Sequence, residues 1–265
     1  MYKNNNNSKN NKNSTKSERN TFYRAGAVLA ALVIWHLASV SVGSEMLLVS
    51  PLQVAARLVT MCTEEGFFST VLYSFLRVAA GFLSAVVAGM ILATAAGRWS
   101  FIEYLLRPYV VTIKSVPVAS FIILCLIWFS FSLLTAFISF LIAFPVIYTN
   151  VLQGIKSADG GLTEMAELYR VPWARKFLYI YIPSIKPYLL SACGVAAGMA
   201  WKAGMAAEVI GVVRGSIGEK LYESKIYFMN ADLLAWTVII IILGAVSEKL
   251  VLFLFNRLFS ALEKL

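Results

Sequence analysis

Residues 164–187 read EMAELYRVPWARKFLYIYIPSIKP, a long, charged and helix-patterned stretch between the apolar runs of this chain. An apolar stripe at helical spacing, preceded by capping candidates at Asp159 and Thr163, predicts a short amphipathic helix. The stripe consists of Leu162, Met165, Ala166 and Tyr169. Val171-Pro172 is expected to end this helix, because the residue before a proline avoids helical dihedral angles. Pro172 is expected to start a second short helix that ends at Pro183.

Such a stripe is not needed inside a bilayer, so it is expected to lie against lipid headgroups or against a protein partner. The composition indicates that much of the chain lies in a bilayer. Of the 265 residues, 59% are hydrophobic and only 14% are charged, with a mean hydropathy of +0.74. Soluble domains are about 25% charged, so this composition indicates a membrane protein.

The composition also argues against several kinds of site. Cys62, Cys125 and Cys193 lie far apart, which argues against a disulfide framework or a zinc site. His36, the single histidine, has no metal-ligand partner at helical spacing. The net charge of +9 is explained by membrane topology rather than by nucleic-acid binding.

Six apolar runs approach the about 20 residues that are needed to cross the hydrocarbon core. They are residues 22–42, 68–97, 115–131, 132–152, 185–209 and 232–256. The third and fourth are divided near Phe129–Ser132, because one helix of their combined length would exceed any bilayer. The predicted fold is therefore an all-α, polytopic membrane protein with about six transmembrane helices and two short cytoplasmic helices.

Lys and Arg residues predict the orientation. Most of them fall in the N-terminal tail and in alternate connecting segments, whereas the opposite segments hold only Arg57, Arg214, Lys220 and Lys225. The positive-inside rule then places both termini, and the stretch 164–187, in the cytoplasm. Residues 1–21 are rich in Asn, Lys and Ser and are expected to form a disordered cytoplasmic tail. A helix starting at Ser50-Pro51 is expected on the outer face.

Three ionisable residues lie within the outer halves of predicted spans: Arg77, Lys202 and Glu208. They either reach toward the interface as structural side chains or line a polar path for a solute. Small residues also recur every fourth position in two spans, at Gly81, Ala85, Gly89, Ala93 and Gly97 and at Ala192, Ala196, Ala200 and Gly204. These ridges favour close helix packing, either within the chain or between subunits.

Catalytic motifs are not apparent. The stretch GVVRGSIGEK, residues 211–220, lacks the glycine spacing and the Gly-Lys-Ser/Thr ending of a phosphate loop. No Ser/His/Asp, Cys/His or paired-carboxylate arrangement is visible at the membrane surface. The chain is therefore not expected to be an enzyme.

The stretch 164–187 resembles the cytoplasmic loop of type I ABC importer permeases, with Glu164, Met165 and Ala166 at the Glu-Ala-Ala positions and Ile182-Pro183 at the final Leu-Pro. Arg170 stands where the family usually has glycine. The resemblance extends over most of residues 67–256, through YSFLRVAAGFLSAVVAGMILATAAG, SVPVASFIILCLIWF, and AAEVIG followed by GSIGEKLY. The nearest subgroup comprises the nitrate, sulfonate and taurine permeases.

This resemblance implies a permease of the cell membrane that forms the path for a small solute such as a sulfonate- or nitrate-like anion. It implies a homodimer that works with a separate ABC ATPase and an extracytoplasmic solute-binding protein; ATP would be bound by the ATPase, and this chain would hold no cofactor. The implied coupling residues are Glu164, Met165, Ala166, Glu167, Tyr169, Arg170, Pro172 and Pro183.

The implied division of the chain is a tail (1–21), a first transmembrane helix with an outer helix (22–66), a permease core (67–256) and a cytoplasmic end (257–265). The coupling loop spans residues 157–183. Two alternatives remain open at this point. An ATP-independent channel or secondary transporter would require broken helices with ion-binding carboxylates at the membrane midplane, and none are visible. A membrane-embedded enzyme would require a catalytic constellation.

Overall fold

The computed structural model describes Tyr23 and residues 26–43 and 48–262, and every regular element in these ranges is helical. The predicted tail, residues 1–21, lies outside the described residues. The helices are α1 (Gly26–Val42), α2 (Pro51–Met61), α3 (Phe67–Arg98), α4 (Ser100–Ser115), α5 (Val118–Trp128), α6 (Phe131–Lys156), α7 (Gly160–Leu168), α8 (Trp173–Lys176), α9 (Ile182–Gly211), α10 (Ile217–Ile226) and α11 (Asn230–Leu262).

Among the described residues, four helices are long and apolar enough to cross a membrane. They are α3, α6, the continuous helix Trp173–Gly211, and α11 over Asn230–Ser260. The bent pair α4–α5 makes a fifth span if it is counted as one crossing. These helices confirm the prediction of an all-α, polytopic membrane protein. The shorter α1 is the described part of the predicted span 22–42.

The third predicted span, residues 115–131, differs from expectation. Its helix α5 covers only 11 residues, and α4 meets it at an angle of 108°. The break falls at Val116-Pro117, where both residues are extended, because Pro117 has no N–H and disfavours a helical residue before it. The predicted division from the next span is confirmed, since α5 ends at Trp128 and α6 begins at Phe131.

Pro183 does not end a helix, in contrast to the expectation above. A π-helical turn, Phe177–Tyr181, joins α8 to α9, and the Ile182 N–H donates to the carbonyl of Phe177. The wider turn admits a proline whose missing N–H would interrupt an α-helix. The second short helix therefore continues directly into the span.

Two compact units divide the chain, and the smaller one comprises residues 1–61 and Ser224–Ala235. In its described part, Trp35 donates its indole N–H to the carbonyl of Val49 at 3.1 Å. Helix α2 begins at Pro51, as the Ser50-Pro51 pattern predicted, and Ser50 and Gln53 form a reciprocal cap at its start. Arg57 binds Asp232 with two nitrogens, at 2.5 and 2.9 Å.

The larger unit, Cys62–Glu223 with Trp236–Leu265, holds the main core. Helix α6 packs between α3 and α9, and the small-residue ridges lie at these contacts. A Cβ on Gly89 would stand 2.8 Å from Ile147, and one on Gly97 would stand 2.8 Å from Ile155. These two distances support packing within the chain, rather than between subunits, as the role of the α3 ridge, because only glycine lets α3 approach α6 so closely.

Candidate coupling surface and solute path

The start of α7 is fixed by Asp159, one of the two predicted caps. Its carboxylate accepts the N–H of Gly161 at 2.8 Å, which satisfies a donor that has no partner within the helix. Thr163 instead turns its hydroxyl back to the carbonyls of Asp159 and Gly160. The cap sets the direction in which α7 leaves α6.

The end of α7 is a left-handed turn at Arg170, which has φ +51°. The Val171 N–H donates to the carbonyl of Ala166 at 2.9 Å, and the Arg170 N–H donates to that of Glu167 at 3.0 Å. These two bonds are the Schellman pattern, in which the left-handed residue is usually glycine. The bend between the two short helices is thus built with arginine in a glycine conformation.

The apolar side chains of α7 are divided between two faces. Ala166 is buried at 5% exposure, whereas Met165 (52%), Leu168 (80%) and Tyr169 (74%) are open to solvent. We call Leu162, Met165, Leu168 and Tyr169 the coupling surface. Leu168 was not singled out from the sequence, although it is the most exposed of the four. A patch of this kind indicates an interaction site.

Polar groups tie α7 to the next helix. Glu167 pairs with Lys176 of α8, with 3.5 Å between the carboxylate and the amine. Glu167 and Arg170 are three residues apart, but Arg170 lies beyond the end of α7 at Leu168, where the three-residue spacing of a helix no longer applies. Glu164 is exposed in the middle of α7.

The second short helix is anchored to α3 through aromatic contacts. Pro172 precedes α8 as its N-cap, and Trp173 stacks on Phe177 with 5.2 Å between ring centroids. The guanidinium of Arg98, the last residue of α3, lies 5.2 Å from the Trp173 centroid and 5.5 Å from that of Trp99. The contact between Arg98 and Trp173 therefore links the start of α8 to the C-terminal end of α3.

Glu208 is fully buried and joins four helices. Its carboxylate accepts hydrogen bonds from Ser74 of α3 at 2.7 Å, Thr135 of α6 at 3.4 Å and the Gly218 N–H of α10 at 3.4 Å. The Ser74 hydroxyl oxygen accepts the Ile217 N–H at 3.0 Å. A carboxylate beside the first N–H groups of α10 also interacts favourably with the helix dipole. The arrangement supports a structural role.

Gly218 is required at this position by close approach. A Cβ there would collide with Glu208 and with the backbone nitrogen of Val209. The stretch 211–220, which superficially resembles a phosphate loop, therefore folds as a tight corner between α9 and α10.

Arg77 and Lys202 lie in different surroundings. The Arg77 guanidinium stands 3.9 Å from the centroid of the Tyr73 ring and donates to the carbonyl of Phe131 at 3.4 Å. Its charge also acts on Glu208 by Coulomb attraction. Lys202 is exposed on α9, beside Val195 (57%), Met199 (42%) and Ile210 (42%). We call these four residues the open face of α9; within the described part of the chain, no hydrogen bond or ion pair is found for Lys202.

The sequence profile of the family described as "Binding-protein-dependent transport system inner membrane component" matches residues 85–263. The matched region contains α6, α9, the coupling surface and Lys202. This chain belongs to that family.

The names of three relatives of this permease refer to particular solutes. It is 24% identical over 237 residues to the putative aliphatic sulfonates transport permease protein SsuC of Bacillus subtilis (strain 168), covering 88% of this chain and 86% of the relative. It is 24% identical to the taurine transport system permease protein TauC of Escherichia coli (strain K12), with coverages of 82% and 80%. It is 28% identical to the nitrate import permease protein NrtB of Synechococcus elongatus, with coverages of 73% and 72%.

Family membership confirms the ABC importer permease predicted from the loop motif. It favours neither alternative, the ATP-independent channel or secondary transporter or the membrane-embedded enzyme. The chain is the permease component of an ABC transporter, a multi-pass protein of the inner membrane and a non-catalytic subunit. ATP is bound by a partner ATPase, and the permease family holds no cofactor. A binding-protein-dependent system also implies a solute-binding protein as a partner.

The sequence did not reveal the residues that surround Glu208. Ser74 and Thr135 are hydroxyl side chains inside otherwise apolar helices, and this is the sequence signal that could have indicated them. Their common partner lies 134 and 73 residues away, so only the folded chain shows that they meet.

Proposed function

We propose that this permease imports a small oxyanion along a path between two copies of the chain, and that α7 and α8 couple this path to the ATPase. In this proposal, residues 67–256 form the transmembrane core, residues 157–183 form the coupling loop, and both termini lie in the cytoplasm. The observation that carries the proposal is the exposed Lys202 in a helix that crosses the membrane.

An ammonium group facing lipid is unfavourable. A charged side chain at the centre of a spanning helix costs about 2.5–3.5 kcal/mol on insertion scales, and such residues normally face a protein interior or a water-filled cavity. Lys202 lies well inside the helix Trp173–Gly211, with exposed neighbours on the same face. A second copy that covers the open face of α9 would remove Lys202 from lipid and place its ammonium group in a path between the two copies.

The charge of this path favours anions. Coulomb attraction scales inversely with the effective dielectric constant, so a cation in a poorly hydrated cavity attracts an anion more strongly than it does in bulk water. Glu208 does not oppose this preference, because it is buried among hydrogen-bond donors away from the open face. The names of the three relatives, which refer to aliphatic sulfonates, taurine and nitrate, support an oxyanion as the solute.

The coupling surface supports the docking of an ATPase. Four large apolar side chains on one short helix have no role inside a bilayer, and a cleft in a soluble subunit would remove them from water. In the proposed cycle, ATP closes the ATPase dimer, α7 and α8 move with it, and the contact between Trp173 and Arg98 transfers this motion to α3. The spans then open toward the outside, where the binding protein releases the solute.

The test replaces Lys202 with methionine, which keeps length and apolar bulk while it removes the charge. Permease, ATPase and binding protein are reconstituted in liposomes, and ATP-dependent uptake of nitrate, taurine and a neutral solute of similar size is measured. We expect Lys202→Met to insert normally, to retain its ATPase and to lose oxyanion uptake by at least about tenfold, or 1.4 kcal/mol.

Lys249→Met is the matched control, because it removes the same charge from α11, a spanning helix whose surface is largely uncovered, and not from the open face of the mostly buried helix α9. It should transport as the wild type does. Unchanged uptake by Lys202→Met would place the path elsewhere, and uptake of the neutral solute alone would refute the oxyanion assignment.

A further inference from the structure

A groove of about 520 Å³ lies at the C-terminal end of α3, separate from the open face of α9. It is lined by Ile91, Thr94, Ala95, Arg98, Trp99 and Trp173. None of these six lining residues is acidic, so the groove combines an apolar floor with one positive charge. This combination of an apolar channel and a cation at one end matches an anionic amphiphile.

The position of the groove indicates that its floor faces lipid. Ile91 continues an exposed stripe of α3 whose other large members are Leu72, Leu76, Leu83 and Val87, each more than half exposed. Purely aliphatic side chains at helical spacing on a spanning helix are typical of contact with acyl chains. The stripe differs in this respect from the open face of α9, which carries Lys202.

The end of the groove has the character of a membrane–water interface. Arg98 is exposed in the last turn of α3, with its guanidinium between the Trp99 and Trp173 rings at 5.5 and 5.2 Å. Tryptophan is enriched at headgroup level, and a guanidinium matches the geometry of a phosphate group. Basic pockets between transmembrane helices bind the headgroups of anionic lipids.

We propose that this groove binds an anionic phospholipid, with an acyl chain along Ile91 and Ala95 and the headgroup phosphate on Arg98. The bound lipid would fill the space between the C-terminal end of α3 and Trp173, the first residue of α8. It would thus contact both helices through which the coupling loop meets the core. The proposal requires only that the chain spans a membrane, and it is independent of the solute and of the subunit arrangement.

The experiment uses the permease in complex with its ATPase, in nanodiscs of phosphatidylcholine that contain increasing fractions of phosphatidylglycerol. Native mass spectrometry counts the lipids that each complex retains. The wild type should retain phosphatidylglycerol in preference to phosphatidylcholine. Arg98→Gln should weaken the retention of phosphatidylglycerol by about tenfold or more, because a charge-assisted hydrogen bond to phosphate is lost.

Arg257→Gln is the matched control, because Arg257 also lies over an aromatic ring, 5.2 Å from the Phe253 centroid, but does not line the groove. It should retain lipid as the wild type does. Ile91→Trp fills the apolar floor without changing the charge and should also reduce retention, so it carries the test if Arg98→Gln fails to fold. Equal retention of the two lipids by the wild type, or undiminished retention of phosphatidylglycerol in Ile91→Trp, would overturn the proposal.

Discussion

Arg170 adopts a backbone conformation that L-amino acids with a side chain rarely take. Its φ of +51° closes α7 through two hydrogen bonds that recover otherwise unpaired carbonyls. Left-handed geometry costs a residue with a Cβ about 1–2 kcal/mol relative to the right-handed helix. The bend in the coupling loop therefore holds a residue whose replacement by glycine relieves strain.

We predict that Arg170→Gly stabilises the permease by about 1 kcal/mol, because glycine populates positive φ as readily as negative φ. Thermal unfolding of the purified chain in detergent measures the change. Arg175→Gly is the control, since Arg175 lies in α8 and glycine lowers the stability of a helix by about 0.5–1 kcal/mol. A lower melting temperature for Arg170→Gly would contradict the proposed strain, as would a change of the same sign in the two variants.

At the scale of the helix, α7 and the start of the Trp173–Gly211 helix act as one element. The turn at Arg170 sets the angle between the two parts, and the ion pair between Glu167 and Lys176 links them. One end of this element carries the coupling surface, and the other continues without interruption into a spanning helix. A rigid connection of this kind is suited to transmitting movement from a docked subunit.

We predict that Leu168→Ser weakens association with the ATPase, because Leu168, at 80% exposure, is the most exposed residue of the coupling surface. Burying a leucine side chain contributes about 1.5–3 kcal/mol, so the affinity should fall by about tenfold or more. Co-purification of the ATPase at several concentrations measures the loss. Val59→Ser is the control, since Val59 is 71% exposed on α2, which the charge pattern predicts to lie on the other side of the membrane. Equal loss in both variants would contradict a specific docking role for α7.

At the scale of the whole molecule, the spanning helices were predictable from the sequence because each is a long apolar run. The break before α6 was also predictable, since an unbroken helix would be too long for a bilayer. The bend at Val116-Pro117 and the π-helical turn before Pro183 were not, because a proline pattern does not show how neighbouring residues recover its missing hydrogen bond.

The candidate site was likewise predictable from the sequence only in part. The loop motif identified the position of α7, and Asp159 as a possible cap, because both depend on residues close in sequence. The burial of Glu208 depends on Ser74, Thr135 and Gly218 from three other helices, and no local pattern reveals that convergence. The exposure of Lys202 likewise became apparent only in the folded chain, where α3 and α6 both pack on the Gly204–Glu208 side of α9 and leave Lys202 uncovered.

The central claim is that the open face of α9 meets its copy in a second chain and that the two enclose the solute path. The most direct measurement is cross-linking of Met199→Cys by a short bifunctional maleimide in native membranes, with Cys62→Ser in every variant because Cys62 is exposed. Ile241→Cys, exposed on α11, is the control for random collisions. We predict a covalent dimer for Met199→Cys and little for Ile241→Cys. A monomeric Met199→Cys variant, or equal cross-linking at both positions, would contradict the claim.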